Sequence, residues 1–177
     1  MKRHVILLFI FSASLVCGQT FTRPQLRESF LVFRSDKVYR DSIANIFDKL
    51  KKKTPDEECY MGICVAFQIK EQKSNWDKLK LVFKARSHLN NGVNRKPNDP
   101  ELRYLRFAFE HYLPSFLGLN KHIEDDLALI IKQMHFVDDN PRLKKMVLAF
   151  LLKTKRCTDE QNQRIKAELD KLPADLK

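Results

Sequence analysis

An all-α fold, a single domain of about seven to eight helices packed as antiparallel hairpins, is what this sequence predicts, and three observations carry the prediction. Four glycines in 177 residues are too few for the turns of a sheet. No stretch alternates apolar and polar residues over the length of a strand. Apolar residues instead return at helical spacing in segment after segment, most of them opened by a capping residue or a proline.

Lys2 and Arg3, the apolar run that starts at Val5 and the small-residue ending at Gly18 read as a signal peptide over residues 1–18, with residues 19–177 forming the helical domain. The apolar run is short for a membrane span, and Gln19, Thr20, Thr22 and Arg23 follow it at once. The expectation is export, to a periplasm or to the outside. Anchorage as a lipoprotein through Cys17 is the rival, and Ser14-Leu15-Val16 is a poor approach to a lipidated cysteine.

Within the domain, Gln25–Arg34 forms a short helix after Pro24, carrying Leu26, Phe30, Leu31 and Phe33. A second opens at the cap Ser35 with Tyr39, Ile43, Ile46, Phe47 and Leu50 at helical spacing. It closes on Lys51-Lys52-Lys53, where positive charge suits the end of the helix dipole. Asp56–Glu71 puts three acids in a first turn and Cys59, Tyr60, Ile63, Cys64 and Phe67 on one face. Ser74 caps the next helix, which carries Trp76, Leu79, Val82, Phe83, Ala85 and Leu89 and is weakened near Asn90-Asn91-Gly92.

The strongest start signal follows. Asp99 is a good N-cap, Pro100 suits the first helical position and Glu101 complements the dipole. Leu102, Tyr104, Leu105, Phe107, Ala108, Phe109, Tyr112 and Leu113 leave little of this helix for water, so it is predicted to be central, ending before Pro114. One turn over Ser115–Gly118, a helix capped by Asn120, a helix from Asn140-Pro141 and a last one from the capping box Thr158-x-x-Gln161 complete the domain.

Lys and Arg total 33 against 22 acids, a formal charge of +11 that falls by two when residues 1–18 are removed. The lysines are spread over most helices, which is the pattern of a solvated surface; an exported protein has nucleic acid as an unlikely partner, and an anionic envelope component is the compatible one. Cys59 and Cys64 diverge on one helix, so one of them with Cys157 is the long-range disulfide candidate, against the alternative of three core thiols. No cysteine pair has the spacing of a zinc site.

Arg103, Arg106 and Glu110 are stacked three and four residues apart on the central helix, where charge is least expected. Arg106 and Glu110 can pair with each other, and Asp125 or Asp126 can neutralise the arginines from another helix. Two readings stand for the stripe: a buried ion-pair network, or a binding site whose forked guanidinium donors take an anion or a peptide carboxylate. His111, His122, Glu124 and Asp126, with His135 nearby in sequence, are the residues a small metal-dependent hydrolase would use. Phe107, Phe116 and Phe136 serve either a core or an open groove. No nucleophile elbow or phosphate loop is present, so no catalytic, metal-binding or cofactor residue is assigned.

Two resemblances accompany this reading. Tyr60-Met61-Gly62, Ala66 and a following helix closed by Pro97 loosely resemble a tetratricopeptide unit, although no second copy at the repeat's period is visible. The segment from Lys78 to Met134 resembles a family of small, signal-peptide-bearing, all-helical bacterial proteins of unassigned activity. Their N/D-x-E-x-R-x-L-R motif corresponds to Asp99, Glu101, Arg103, Leu105 and Arg106, followed by Pro114, Gly118, Glu124 and Asp125 or Asp126. The resemblance implies an exported helical domain of a cell envelope and no substrate. The expected function is therefore a non-enzymatic module that binds a protein or an envelope component through a groove beside the central helix.

Overall fold

A computed structural model describes residues 20–173; the signal-peptide expectation and Cys17 lie outside the described residues. Among the described residues eight α-helices follow one another: α1 (Arg23–Phe33), α2 (Lys37–Lys49), α3 (Pro55–Ile69), α4 (Asn75–Arg95), α5 (Pro100–His111), α6 (Ile123–Lys132), α7 (Pro141–Thr154) and α8 (Asp159–Asp170). Short 3₁₀ turns cover Ser115–Leu117 and Met134–Val137, and no strand occurs among the described residues. Each helix packs on its successor in the pairs α1–α2, α3–α4, α5–α6 and α7–α8, while α5 also touches α3, α4 and the second 3₁₀ turn.

Local chemistry explains most of the boundaries. Ser74, Asp99 and Asn140 each accept backbone N–H bonds at the predicted starts, and Thr54–Glu57 and Thr158–Gln161 form capping boxes. Two caps differ from expectation. Asp36, not Ser35, accepts from the Tyr39 amide, because a carboxylate one residue later reaches the first turn and suits its dipole. Asn120 does not cap α6; His122 holds that position without using its own side chain.

The hairpin α3–α4 is the tightest. Gly62 lies so close to α4 that an added Cβ would sit 2.8 Å from Leu89 Cγ and 3.0 Å from the Ala85 carbonyl oxygen. At Gly92 it would sit 2.4 Å from Cys59 Sγ and 2.5 Å from the Pro55 carbonyl oxygen. Gly92 therefore does not weaken the end of α4, as its low helix propensity implies; it lets the end of α4 lie against the start of α3. Gly62, the glycine of the tetratricopeptide-like element, permits the same close approach further along α3.

The core runs continuously through all these pairs. Phe33, Phe47, Tyr60, Leu89, Leu102, Phe107, Ile130, Leu148 and Ile165 are all essentially inaccessible to water. α5 is central, as predicted, with Leu102, Tyr104, Leu105, Phe107 and Phe109 buried. One of its predicted apolar residues is the exception: Tyr112, at the C-cap, is 70% exposed. Cys59, Cys64 and Cys157 are free thiols, so neither helical cysteine is bridged to Cys157. Burial pushes the Cys64 thiol up to about 12 and Cys59 higher still, which leaves both as unreactive core groups.

Candidate functional site

The arginine stripe of α5 is met by one carboxylate from α6. Asp126, fully buried, accepts from Arg106 Nε and Nη2 at 2.8 Å each and from Arg103 Nη1 at 2.7 Å. Arg106 is itself 3% exposed, and its remaining nitrogen, Nη1, reaches Asn90 Oδ1 on α4 at 3.3 Å. Both oxygens of Asp126 are thus engaged by a guanidinium fork, the geometry in which carboxylate and arginine pair best.

The expected pairing of Arg106 with Glu110 does not form. Glu110, also fully buried, accepts the His122 backbone N–H at 3.0 Å and lies 2.7 Å from His122 Nδ1. The reason is positional: α6 starts beside the end of α5, its first amides have no side-chain cap, and a carboxylate from the neighbouring helix supplies the missing acceptor and favourable charge.

A second buried network escaped the sequence reading. Glu101 accepts from Arg27 Nη2 at 2.6 Å and from the Tyr60 hydroxyl at 2.6 Å, while Arg27 also reaches Asp139 at 2.7 Å and the Phe136 carbonyl at 2.9 Å. Arg23 adds Asp56 and Asp99, each at 2.5 Å. Burial works against the Asp56 carboxylate, yet Lys96 and Arg23 together hold its pKa below the ordinary range. Burial, and then the Glu101 charge, push the Tyr60 phenol well above its usual value. These bonds tie α1, α3 and α5 to the turn after α6. Nothing in the spacing of Arg27 announced a partner so far along the chain.

The residues named for metal chemistry do not converge. His122 and Asp126 are engaged as described, and Glu124 is exposed and pairs with Arg156 at 3.3 Å. His111 sits among Phe107, Tyr112 and Phe150, where burial and then Arg156 lower its pKa. A different group, His135, Asp138 and Glu168, does gather ligand atoms within 4.8 Å of one another. Lys144 Nζ already lies 2.7 Å from each of those two carboxylates, so an ammonium occupies the position a cation would take. Of the phenylalanines, Phe107 is core, Phe136 is partly buried against it and Phe116 is 84% exposed.

A concave feature lies along the open side of α4. Phe83, Arg86, Ser87, Asn90, Asn91 and Asn94 line an open groove of about 520 Å³. Their spacing of three and four residues places all six on one face of α4. Asn90 holds Arg106 Nη1 and Asn91 Nδ2 donates to Glu58 at 3.1 Å, which anchors those amides on their inner sides. Ser87 and Asn94 are exposed, and their side chains bond to no described residue. Arg86 is half-buried, its Nε is shielded from solvent with no acceptor, and no carboxylate among the described residues pairs with it. Phe83 is 51% exposed, and Trp76, two turns before it on the same face, is 65% exposed.

Sequence reasoning placed Trp76 and Phe83 among the apolar residues of this helix and passed over Arg86. A signal was available: the face carries amides and a hydroxyl where a merely solvated helix face carries Glu and Lys. The groove thus joins exposed aromatic surface, amide donors and acceptors, and a cation without a partner among the described residues. Among the described residues no helix is long and apolar enough to cross a membrane. Compared with protein-family models, with curated proteins and with solved structures, the chain matches none.

Proposed function

We propose that this protein is a non-enzymatic binding module whose α4 face holds an extended segment of another polypeptide. The observation that carries the reading is the groove from Phe83 to Asn94, where amide side chains already anchored from behind face outward beside an exposed aromatic ring. An amide offers both a donor and an acceptor, which matches the alternating N–H and C=O of an extended backbone. A half-exposed phenylalanine and tryptophan supply the apolar anchors that dominate the energetics of such contacts. The groove runs about 16 Å along the helix axis, a length that about five extended residues would fill. The leader-like residues 1–18 agree with a role outside the cytoplasm, where the partner is a protein or an envelope component.

The Arg103, Arg106 and Glu110 stripe serves this module by holding α6 to α5, and through Asn90 it fixes one wall of the groove. The test is selection of random linear peptides on the full chain. Wild type enriches binders that Phe83→Asp no longer holds, while circular dichroism shows that the variant remains folded. Failure to enrich any peptide, or enrichment indifferent to Phe83→Asp, removes the reading.

A further inference from the structure

Resting on that reading, we infer that the groove selects peptides with an acidic side chain at an internal position and that Arg86 is the residue that reads it. The cations elsewhere in the interior have their anions within the fold: Arg27 has Glu101, Arg106 has Asp126 and Lys144 has Glu168. Arg40, which like Arg86 has an Nε without an acceptor, still gives Nη1 to the Phe33 carbonyl at 2.8 Å and pairs with Glu71. Arg86 has none of these, although its Nε is withdrawn from water into the wall of a groove. The shielded Nε is out of a ligand's reach, but Nη1 and Nη2 of the same guanidinium have no anion among the described residues, and a carboxylate bound in the groove takes charge-assisted, two-point hydrogen bonds from them.

The chemistry of the lining favours a carboxylate on a peptide over other anions. Arg86 is the single cation among the six lining residues; the rest are three amides, a hydroxyl and a phenyl ring. A nucleic acid backbone, with a charge at every nucleotide, calls for several cations along its track. Position decides which carboxylate is read. Arg86 has Phe83 on one side and Asn90, Asn91 and Asn94 on the other, so a chain terminus bound there would leave half of the groove unfilled. An Asp or Glu inside the segment leaves both halves occupied, with an apolar residue toward Phe83 and backbone against the asparagines.

The experiment uses peptides recovered by the selection above, synthesised in matched forms. Each carries its acid or the corresponding amide, with the C-terminus either free or amidated. Affinities are measured by isothermal titration calorimetry against wild type, Arg86→Gln and Arg86→Lys. The expected result is a loss of about tenfold to a hundredfold on replacing the acid by its amide in wild type. That penalty disappears in Arg86→Gln, partly returns in Arg86→Lys, and amidating the C-terminus changes nothing. Enriched peptides that are neutral, or acidic peptides that bind Arg86→Gln as tightly as wild type, overturn the acidic specificity and leave the peptide-binding reading intact. Loss of binding on amidation overturns it in favour of a terminal carboxylate, and tighter binding of a single-stranded oligonucleotide in the same titration overturns it in favour of a nucleic acid. If no peptide is selected at all, both readings fall together.

Discussion

Arg106 on α5 and Arg86 on α4 are the same side chain in opposite circumstances. Arg106 is buried and fully partnered by Asp126 and Asn90, whereas Arg86, at the edge of a groove, is half-buried and has no partner among the described residues. The first arrangement consumes its own hydrogen-bonding capacity inside the fold. The second leaves that capacity for something arriving from outside. The contrast teaches that an arginine conspicuous by its apolar neighbours in sequence is a poor guide to a site; what matters is whether the fold supplies its anion.

The sharpest way to break the contrast is to remove the anion from α6. Asp126→Ala strands Arg106 in the core, takes the carboxylate from the partly exposed Arg103, and should destabilise the protein by about 3 to 5 kcal/mol, lowering Tm by roughly 10 °C in a thermal melt. Arg106→Ala strands Asp126 and should fall in a similar range. A loss under about 1 kcal/mol for either would mean that the network is wet and that the stripe is no more structural than Arg86. The next effect sharpens the comparison from the scaffold side. Gly92→Ala forces a methyl group toward Cys59 and the Pro55 carbonyl, and urea unfolding should show a loss of about 1 to 3 kcal/mol.

Acid should reveal other internally paired charges. Lys144 and Lys171 hold the Glu168 pKa down to about 2, against 4.5 in the unfolded chain. Its contribution to stability is therefore fully present above pH 4.5 and is lost as pH falls from there toward 2. Asp56 and Asp138 are shifted in the same direction and add to the same arm of the curve. Glu168→Gln should flatten the fall in Tm over that window while lowering stability near neutral pH; an unchanged acid arm would exclude Glu168 as a contributor. The smallest effect belongs to Arg86. With no partner to lose, Arg86→Gln should leave stability within about 0.5 kcal/mol of wild type in the same unfolding assay.

Much of this architecture was legible locally. Ser74, Asp99, Asn140 and Thr158 begin helices where short-range hydrogen bonding says they should, because a cap depends on residues within one turn. The start of α6 was misread for the opposite reason: its acceptor, Glu110, comes from another helix and no local pattern encodes it. The stripe shows both halves of the lesson. The position of Asp126 as an alternative to Asp125 could be written down from sequence, yet the choice between Asp126 and Glu110 for Arg106 depended on how α6 lies against α5. Arg86 lay beyond reach altogether, since the absence of a partner is a property of every other helix at once.

Gly62 and Gly92 carry a further consequence for the groove. Because atoms of the facing helix fill the space where a Cβ would stand at either glycine, a slip of α4 by one residue would drive a side chain into the tight contact at Gly92. The helix that presents Phe83, Arg86 and Asn94 is therefore held in register from behind before any ligand arrives. The ordering cost of association then falls on the incoming segment alone, and a mutation that loosens the back of α4 should weaken binding at its front without touching a single groove residue.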